Sequence, residues 1–232
     1  MPRLTKRQKA SVALADLTQA FLLKDALELL AKMPMAKFDE TVEIAARLSV
    51  DPRQSDQMVR GSLKLPHGSG KKVTILAFTQ NEQEALDAGA EFAGLETMIE
   101  KIQGGWLDFD VALATPDAMK EVRKIARILG PRGLMPNPKS GTVSDNLSQT
   151  IEEVRAGRVE FKMDKTANLH LIIGKRSFGV DQLVDNATAA VDAILNNKPE
   201  TFKGNLIKSM SLSGTMTPGI KIHNGVFTHD NK

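Results

Sequence analysis

From Val73 to Leu129, short apolar runs take turns with stretches of helical period, and no other part of the chain keeps that rhythm. The run 73–78 (VTILAF) reads as a strand, 81–89 as a helix and the region of Phe92 as a short strand. Then 95–103 reads as a helix, 109–114 as a strand and 117–129 as a helix, with one more helix over 146–157. Alternation of this kind predicts a parallel sheet covered by helices on both faces.

The flanks follow another pattern. Residues 5–31 read as one helix with Leu14, Leu17 and Phe21 on a single face, stopped by Met33-Pro34. In "FDETVEIAARLSV" strict alternation puts Val42, Ile44, Ala46 and Leu48 on one side of a strand. Thr41, Glu43, Ala45 and Arg47 fall on the other, as in a sheet with one buried face. "RGSLKL" is expected to pair with that strand. Beyond Gly157 strands return in "RVEFKM" and "LHLIIG", a helix follows over 179–197, and "LIKSMSLS" and "GIKIH" read as strands. Neither flank has enough elements for a core of its own. The expected organisation is therefore α/β with two domains: 1–67 plus 159–232 form one, and 68–158 is inserted into it. The connections "LPHGSGKK" and "AGRVEF" are either a paired hinge or ordinary surface turns.

A chain of 232 residues with 41% hydrophobic content has ample material for such cores. It contains no cysteine, which excludes disulfides, thiolate metal sites and cysteine nucleophiles and makes the cytoplasm the expected location. The basic start "MPRLTKRQKA" leads into a helix with Asp16 and Asp25 rather than an apolar signal core, and no apolar run is long enough to span a membrane. Net charge is only +3, but its distribution is uneven: the two flanks together carry +5 and the middle −2. Within the middle, Glu82 to Glu100 is acidic, while Val122 to Ser144 has Arg123, Lys124, Arg127, Arg132 and Lys139 and no acid. That basic stretch includes "GPRGLMPNPKSGTV" (130–143), whose glycines and prolines specify one irregular path. The loop is either a packed structural turn or a rigid mount for its cations Arg132 and Lys139.

Signals for catalysis are missing. "HGSGKK" resembles a phosphate loop, but Leu65 stands where the spacing needs glycine and Lys72 where it needs Ser or Thr. His67, His170, His223 and His229 show no ligand spacing, and no glycine fingerprint follows the first strand of the middle. No enzyme activity, cofactor or metal is expected. Only 4% of residues are aromatic, so reading of splayed bases by stacking is not expected either. "SMSLSGTMTPG" (209–219) offers Ser211, Ser213, Thr215 and Thr217 hydroxyls instead, a surface suited to the 2′-hydroxyls and phosphates of folded RNA.

Four segments carry a resemblance in order along the chain: "KFDETVEIAARLSVDPRQSDQMVRGSLKLPHGSGK" (37–71), "GPRGLMPNPKSGTV" (130–143), "DKTANLHLIIGKRSF" (164–178) and "SMSLSGTMTPG". Together they resemble the family of bacterial large-subunit ribosomal protein one. The resemblance implies a discontinuous split βαβ domain from both termini and an inserted Rossmann-like three-layer α/β domain. It implies binding to large-subunit ribosomal RNA at the mobile stalk, help in releasing exit-site transfer RNA, and repression of translation by binding the protein's own messenger RNA. A monomer within the ribosome, with no membrane partner, is expected.

Carried over by motif, the RNA-binding residues are Lys37, Phe38, Thr41 and Glu43, then Lys165, Asn168, His170 and Lys175, then Ser209, Ser211, Thr215, Met216, Thr217 and Pro218. Glu43 would accept a 2′-hydroxyl proton or orient Lys37 or Thr41. Arg132 and Lys139 would make a secondary RNA contact or an interdomain contact. Thr217 departs from the family, which has glycine there; either the backbone at that position is unstrained or affinity is reduced.

Overall fold

The computed structural model describes residues 5–223, without the side chains of Ser55 and Lys139. His229 thus lies outside the described residues. In chain order the elements are α1 Lys6–Leu14, β1 Ala20–Phe21, α2 Leu23–Lys32, β2 Thr41–Leu48 and β3 Arg60–Lys64. Next come β4 Ile75–Phe78, α3 Glu82–Asp87, β5 Phe92–Ala93, α4 Glu96–Gln103, β6 Val111–Ala114, α5 Met119–Val122, α6 Ala126–Leu129 and α7 Leu147–Arg155. The last are β7 Arg158–Lys162, β8 Asn168–Lys175, α8 Val180–Asn196, β9 Ile207–Gly214 and β10 Ile220–Ile222. These elements gather into two compact units, one from chain up to Gly70 together with chain from Val159, the other Lys71–Arg158.

In the first unit the described strands form a sheet in the order β1-β10-β9-β2-β8, with β3 and β7 as a separate pair. β2 lies between β8 and β9, antiparallel to both. Its alternation is realised as burial: Val42, Ile44, Ala46 and Leu48 join a core with Leu27 and Leu30 of α2, Leu169, Leu171 and Ile173 of β8, Ala187, Val191 and Ile194 of α8, and Leu212 of β9. Helices α2 and α8 thus lie on one face of the sheet, and the alternate residues face away from them.

Two expectations are corrected here. Residues 5–31 are not one helix: Ala15 is extended, and the Asp16 carboxylate accepts hydrogen bonds from the Thr18 amide (3.0 Å) and hydroxyl (2.7 Å). This Asx turn competes with helix. It frees Ala20 and Phe21 to pair in parallel with Lys221 and Ile222, so Leu14 ends exposed while Phe21 packs against the core. "RGSLKL" does not pair with β2 either; β3 pairs with β7, because β8 and β9 already fill both edges of β2.

The connection leaving the first unit is tied down. Asn186 of α8, fully buried, donates from Nδ2 to the carbonyls of Ile173 (2.7 Å) and Gly68 (3.1 Å) and accepts at Oδ1 from the His67 amide (3.0 Å). His67 Nε2 lies 3.0 Å from Asp185 Oδ2.

In the second unit β4 pairs in parallel with both β5 and β6. Residues of β4 divide by parity between two clusters: Leu76 and Phe78 pack with α4 and the helical run 119–129, Ile75 and Ala77 with α3 and α7. A strand buried on both faces is what a parallel sheet requires. The run 117–129 changes pitch, since Arg123–Ile125 forms a 3₁₀ turn between α5 and α6. Segment 130–143 contains two more 3₁₀ turns, Gly130–Arg132 and Pro138–Ser140, and ends in a bridge from Val143 to Ala114. Its middle is wired internally: the Asn137 amide donates to Thr142 Oγ1 (2.8 Å), and Asn137 O accepts from Ser140 N (3.2 Å).

Candidate nucleic-acid interface

The face of the first sheet turned away from α2 and α8 collects most of the residues named from sequence. Register aligns them in rows across three strands: Asn168, Arg47 and Ser209; His170, Ala45 and Ser211; Ile172, Glu43 and Ser213. Thr41 faces Lys175, and Lys221 of β10 extends the row of Ser211. A bulge at Val42/Glu43 makes this set possible. Ile173 and Gly174 are both buried, so the alternation is re-phased and Lys175 emerges on the same side as Ile172.

At the Thr41 end, side chains and backbone form one connected network. Lys175 Nζ donates to Thr41 Oγ1 (2.8 Å). The Thr41 amide donates to Thr215 Oγ1 (3.0 Å), and the Thr215 amide returns to Thr41 O (3.0 Å). Lys175 therefore holds the Thr41 hydroxyl, one of the groups Glu43 was expected either to orient or to leave for a 2′-hydroxyl. Among the described residues the Glu43 side chain makes no hydrogen bond; it is half-buried, with both carboxylate oxygens available. Lys37 is exposed, and Phe38 and Met216 are 51% and 49% exposed, large apolar side chains with no core to enter.

Thr217 and Pro218 complete the turn after β9. Thr217 Oγ1 accepts from the Gly214 amide (2.7 Å). Ala167 is the one non-glycine with positive φ among the described residues, so Thr217 sits in ordinary backbone territory. Of the two alternatives for this departure, the unstrained backbone is the one found, and the hydroxyl closes the turn.

Lys165 lies apart from Thr41, at the opposite end of β2. It occupies the turn between β7 and β8, where Asp164 Oδ1 accepts from the Thr166 amide (2.8 Å) and the Asn168 amide (2.7 Å). The Asn168 amide first, and the Thr166 hydroxyl second, hold the Asp164 carboxyl down at about 2. Arg132 belongs to the second unit, exposed in its 3₁₀ turn, and Lys139 lies in the turn Pro138–Ser140 with its side chain outside the described residues.

Sequence reasoning missed the pair that supports the Thr41 end. Glu40 is fully buried, and its Oε1 accepts from the Ala36 amide (2.7 Å) while Oε2 lies 3.5 Å from Arg176 Nη1. Arg176 Nη2 donates to the carbonyls of Leu30 (2.7 Å) and Met33 at the end of α2, and the Arg176 amide donates to Glu40 O (2.8 Å). Gly214 abuts the same carboxylate: a Cβ there would come within 2.8 Å of Glu40 Oε2. One buried ion pair thus fixes segment 33–40, which carries Lys37 and Phe38, beside the strand end that carries Thr215 and Met216. Arg47 and Lys221 also stand in these rows, and sequence reasoning named neither, although the alternation of β2 already put Arg47 on this side.

Fold and face together define a class: an α/β protein of two compact units, one of which turns a broad, polar sheet surface outward. Residues 29–218 match the Ribosomal protein L1p/L10e family. A protein of Saccharopolyspora erythraea called large ribosomal subunit protein uL1 is 49% identical over 224 residues, 96% of this chain and 94% of that one. One of the same name from Kosmotoga olearia is 48% identical over 224 residues, 96% of this chain and 97% of its own. The chain belongs to the Ribosomal protein L1p/L10e family.

Proposed function

We propose that this chain is a structural constituent of the large ribosomal subunit, in the cytoplasm, and binds large-subunit ribosomal RNA through the open sheet face of its first unit. The observation that supports this most directly is the convergence of Thr41, Glu43, Asn168, His170, Lys175, Ser209 and Ser211 on one side of one sheet, opposite the core. Hydroxyls, an unpaired carboxylate and cations are the groups that recognise 2′-hydroxyls and phosphates. Phe38 and Met216 add apolar contacts for sugars and bases.

On this reading the first unit is the RNA-binding domain and the second an inserted Rossmann-like domain. The RNA is the mobile stalk, the protein assists release of exit-site transfer RNA, and a similar structure in its own messenger RNA competes for the same face to repress translation. Among the described residues no helix is long and apolar enough to cross a membrane.

Binding of the full chain to a stalk fragment of large-subunit RNA tests the reading. Met216→Asp puts an unpaired carboxylate against phosphates and is expected to weaken binding by several kcal/mol, more than ~100-fold, with the circular dichroism spectrum unchanged. Equal affinity of folded Met216→Asp and wild type would remove this face from the interface.

A further inference from the structure

Gly70 is where the chain leaves the first unit, and it lies against the side chains of Lys175 and Phe178. Its φ is 69°, in the left-handed region that favours glycine. A Cβ on it would stand 2.8 Å from Lys175 Cγ and 2.9 Å from Phe178 Cζ. Neither neighbour is free to retreat. The Phe178 ring is backed by Gly174, where a Cβ would come within 2.9 Å of Cδ2, and the Phe178 amide donates to Lys175 O (3.0 Å). Lys175 Cγ sits near the root of its side chain, and the far end of the same stem is engaged, Nζ donating to Thr41 Oγ1 (2.8 Å). The connection itself is anchored just before Gly70, where Gly68 O accepts from Asn186 Nδ2 (3.1 Å). The backbone at Gly70 is therefore seated on the stem of Lys175 and held there.

We propose that Gly70 is a positioning residue for RNA recognition: with no Cβ, it lets the outgoing connection rest on the Lys175 stem and hold the ammonium at the Thr41 hydroxyl. The proposal rests on the RNA-binding reading above. A lysine side chain loses much rotamer freedom when it is ordered, and ordering it before the RNA arrives removes that cost from binding. An ammonium has three donors; with one on Thr41, two remain for phosphate oxygens or 2′-hydroxyls. Lys175 and the Thr41 hydroxyl thus face the RNA as one preformed group. Gly70 acts on the RNA entirely through Lys175.

The test uses the full chain with Gly70→Ala and with Gly70→Asn. Asn tolerates the left-handed region better than Ala, so an effect common to both comes from the added Cβ and not from φ. The first readout needs no RNA: the rate of reductive methylation of Lys175, followed by mass spectrometry with exposed Lys37 as the internal reference. It is expected to rise about threefold to tenfold in both variants as the ammonium leaves Thr41, with the circular dichroism spectrum unchanged. The second is a double-mutant cycle on the stalk RNA fragment. Gly70→Ala is expected to weaken binding about threefold to tenfold in the wild-type chain and not at all in Lys175→Ala, which has no Cγ to displace. Phe178 is still crowded there, so a purely structural defect would persist. A wild-type methylation rate in both Gly70 variants, or an equal loss of affinity with and without the Lys175 stem, overturns the positioning role and leaves the interface reading standing. Wild-type affinity of Lys175→Ala removes Lys175 from the interface and overturns the proposal together with that part of the reading.

Discussion

Glu40 is flanked by Asp39 and Thr41 in a stretch that reads as a solvated strand entry, and nothing in that stretch announces a fully buried carboxylate. Its partner is 136 positions along the chain, so only the fold brings Arg176 to it. Removing one member of a buried ion pair leaves the other charge uncompensated, and Glu40→Ala is expected to destabilise the protein by about 3 to 5 kcal/mol, measured as a shift in the urea midpoint. A loss under about 1 kcal/mol would mean that the pair behaves like a surface one. By contrast Thr41, Glu43 and Arg47 could be assigned to one side from alternation alone. Asp164 makes a separate prediction, because its carboxyl titrates at about 2 in the folded chain and at about 3.9 when unfolded. A depressed folded value stabilises above the unfolded one and is lost as pH falls toward the folded one. The gap in urea midpoint between wild type and Asp164→Ala should therefore be open at neutral pH and narrow from about pH 5 to about pH 1, through the folded value; a gap undiminished at about pH 1 would assign the effect to packing.

Bulges are where period-two reasoning stops. Counting by twos from Asn168 reaches His170, Ile172 and Gly174, and places Lys175 with the core; the bulge opposite Val42/Glu43 reverses that, and resemblance supplied what alternation could not. The same limit explains why Lys208 is exposed: a second bulge, at Arg47/Leu48, interrupts a ladder that would turn it inward beside Met210. Helix 179–197 could be read from the chain because its period runs unbroken, and the strand–helix order of the middle survives the 3₁₀ turn at Arg123–Ile125 because the apolar spacing continues through it. The 5–31 helix could not, because one Asx turn at Asp16 outweighs a matching apolar period. In segment 130–143 the glycines carry a testable meaning. Gly141 has φ 69°, and a Cβ there would meet Arg158 Nη2 at 2.1 Å. Arg158 in turn bonds Ser140 O (2.7 Å) and Glu153 (2.8 Å). Gly141→Ala combines left-handed strain with loss of those bonds, and is expected to cost about 2 kcal/mol or more in chemical denaturation. A neutral outcome would show that Arg158 swings aside without consequence.

For the chain as a whole, the change of rhythm at both ends of the middle segment is what made two units conceivable from sequence; which strands pair within the first unit was not, since pairings such as Val42 with Gly214 in β2 and β9 join opposite flanks of the inserted segment. A chain joining residues 1–67 to 159–232 by a short linker is expected to fold and to bind the stalk RNA within about tenfold of full length, ~1.4 kcal/mol. A folded version that loses several powers of ten would move the main site into the second unit. Arg132→Ala/Lys139→Ala is expected to leave stalk affinity nearly unchanged at physiological salt, where exposed charges are screened over about 8 Å, and to alter transfer-RNA release on ribosomes; an unaltered rate would make the loop structural only. The asparagine that holds the outgoing connection has a consequence in time. Because the His67 amide ends on Asn186 Oδ1 inside the first unit, it can exchange with deuterium only when that buried tie opens, and its protection should approach that of the β2 core. Asn186→Ala should bring it down to the rate of an exposed turn, so a single amide reports how long the connection stays fastened at its root.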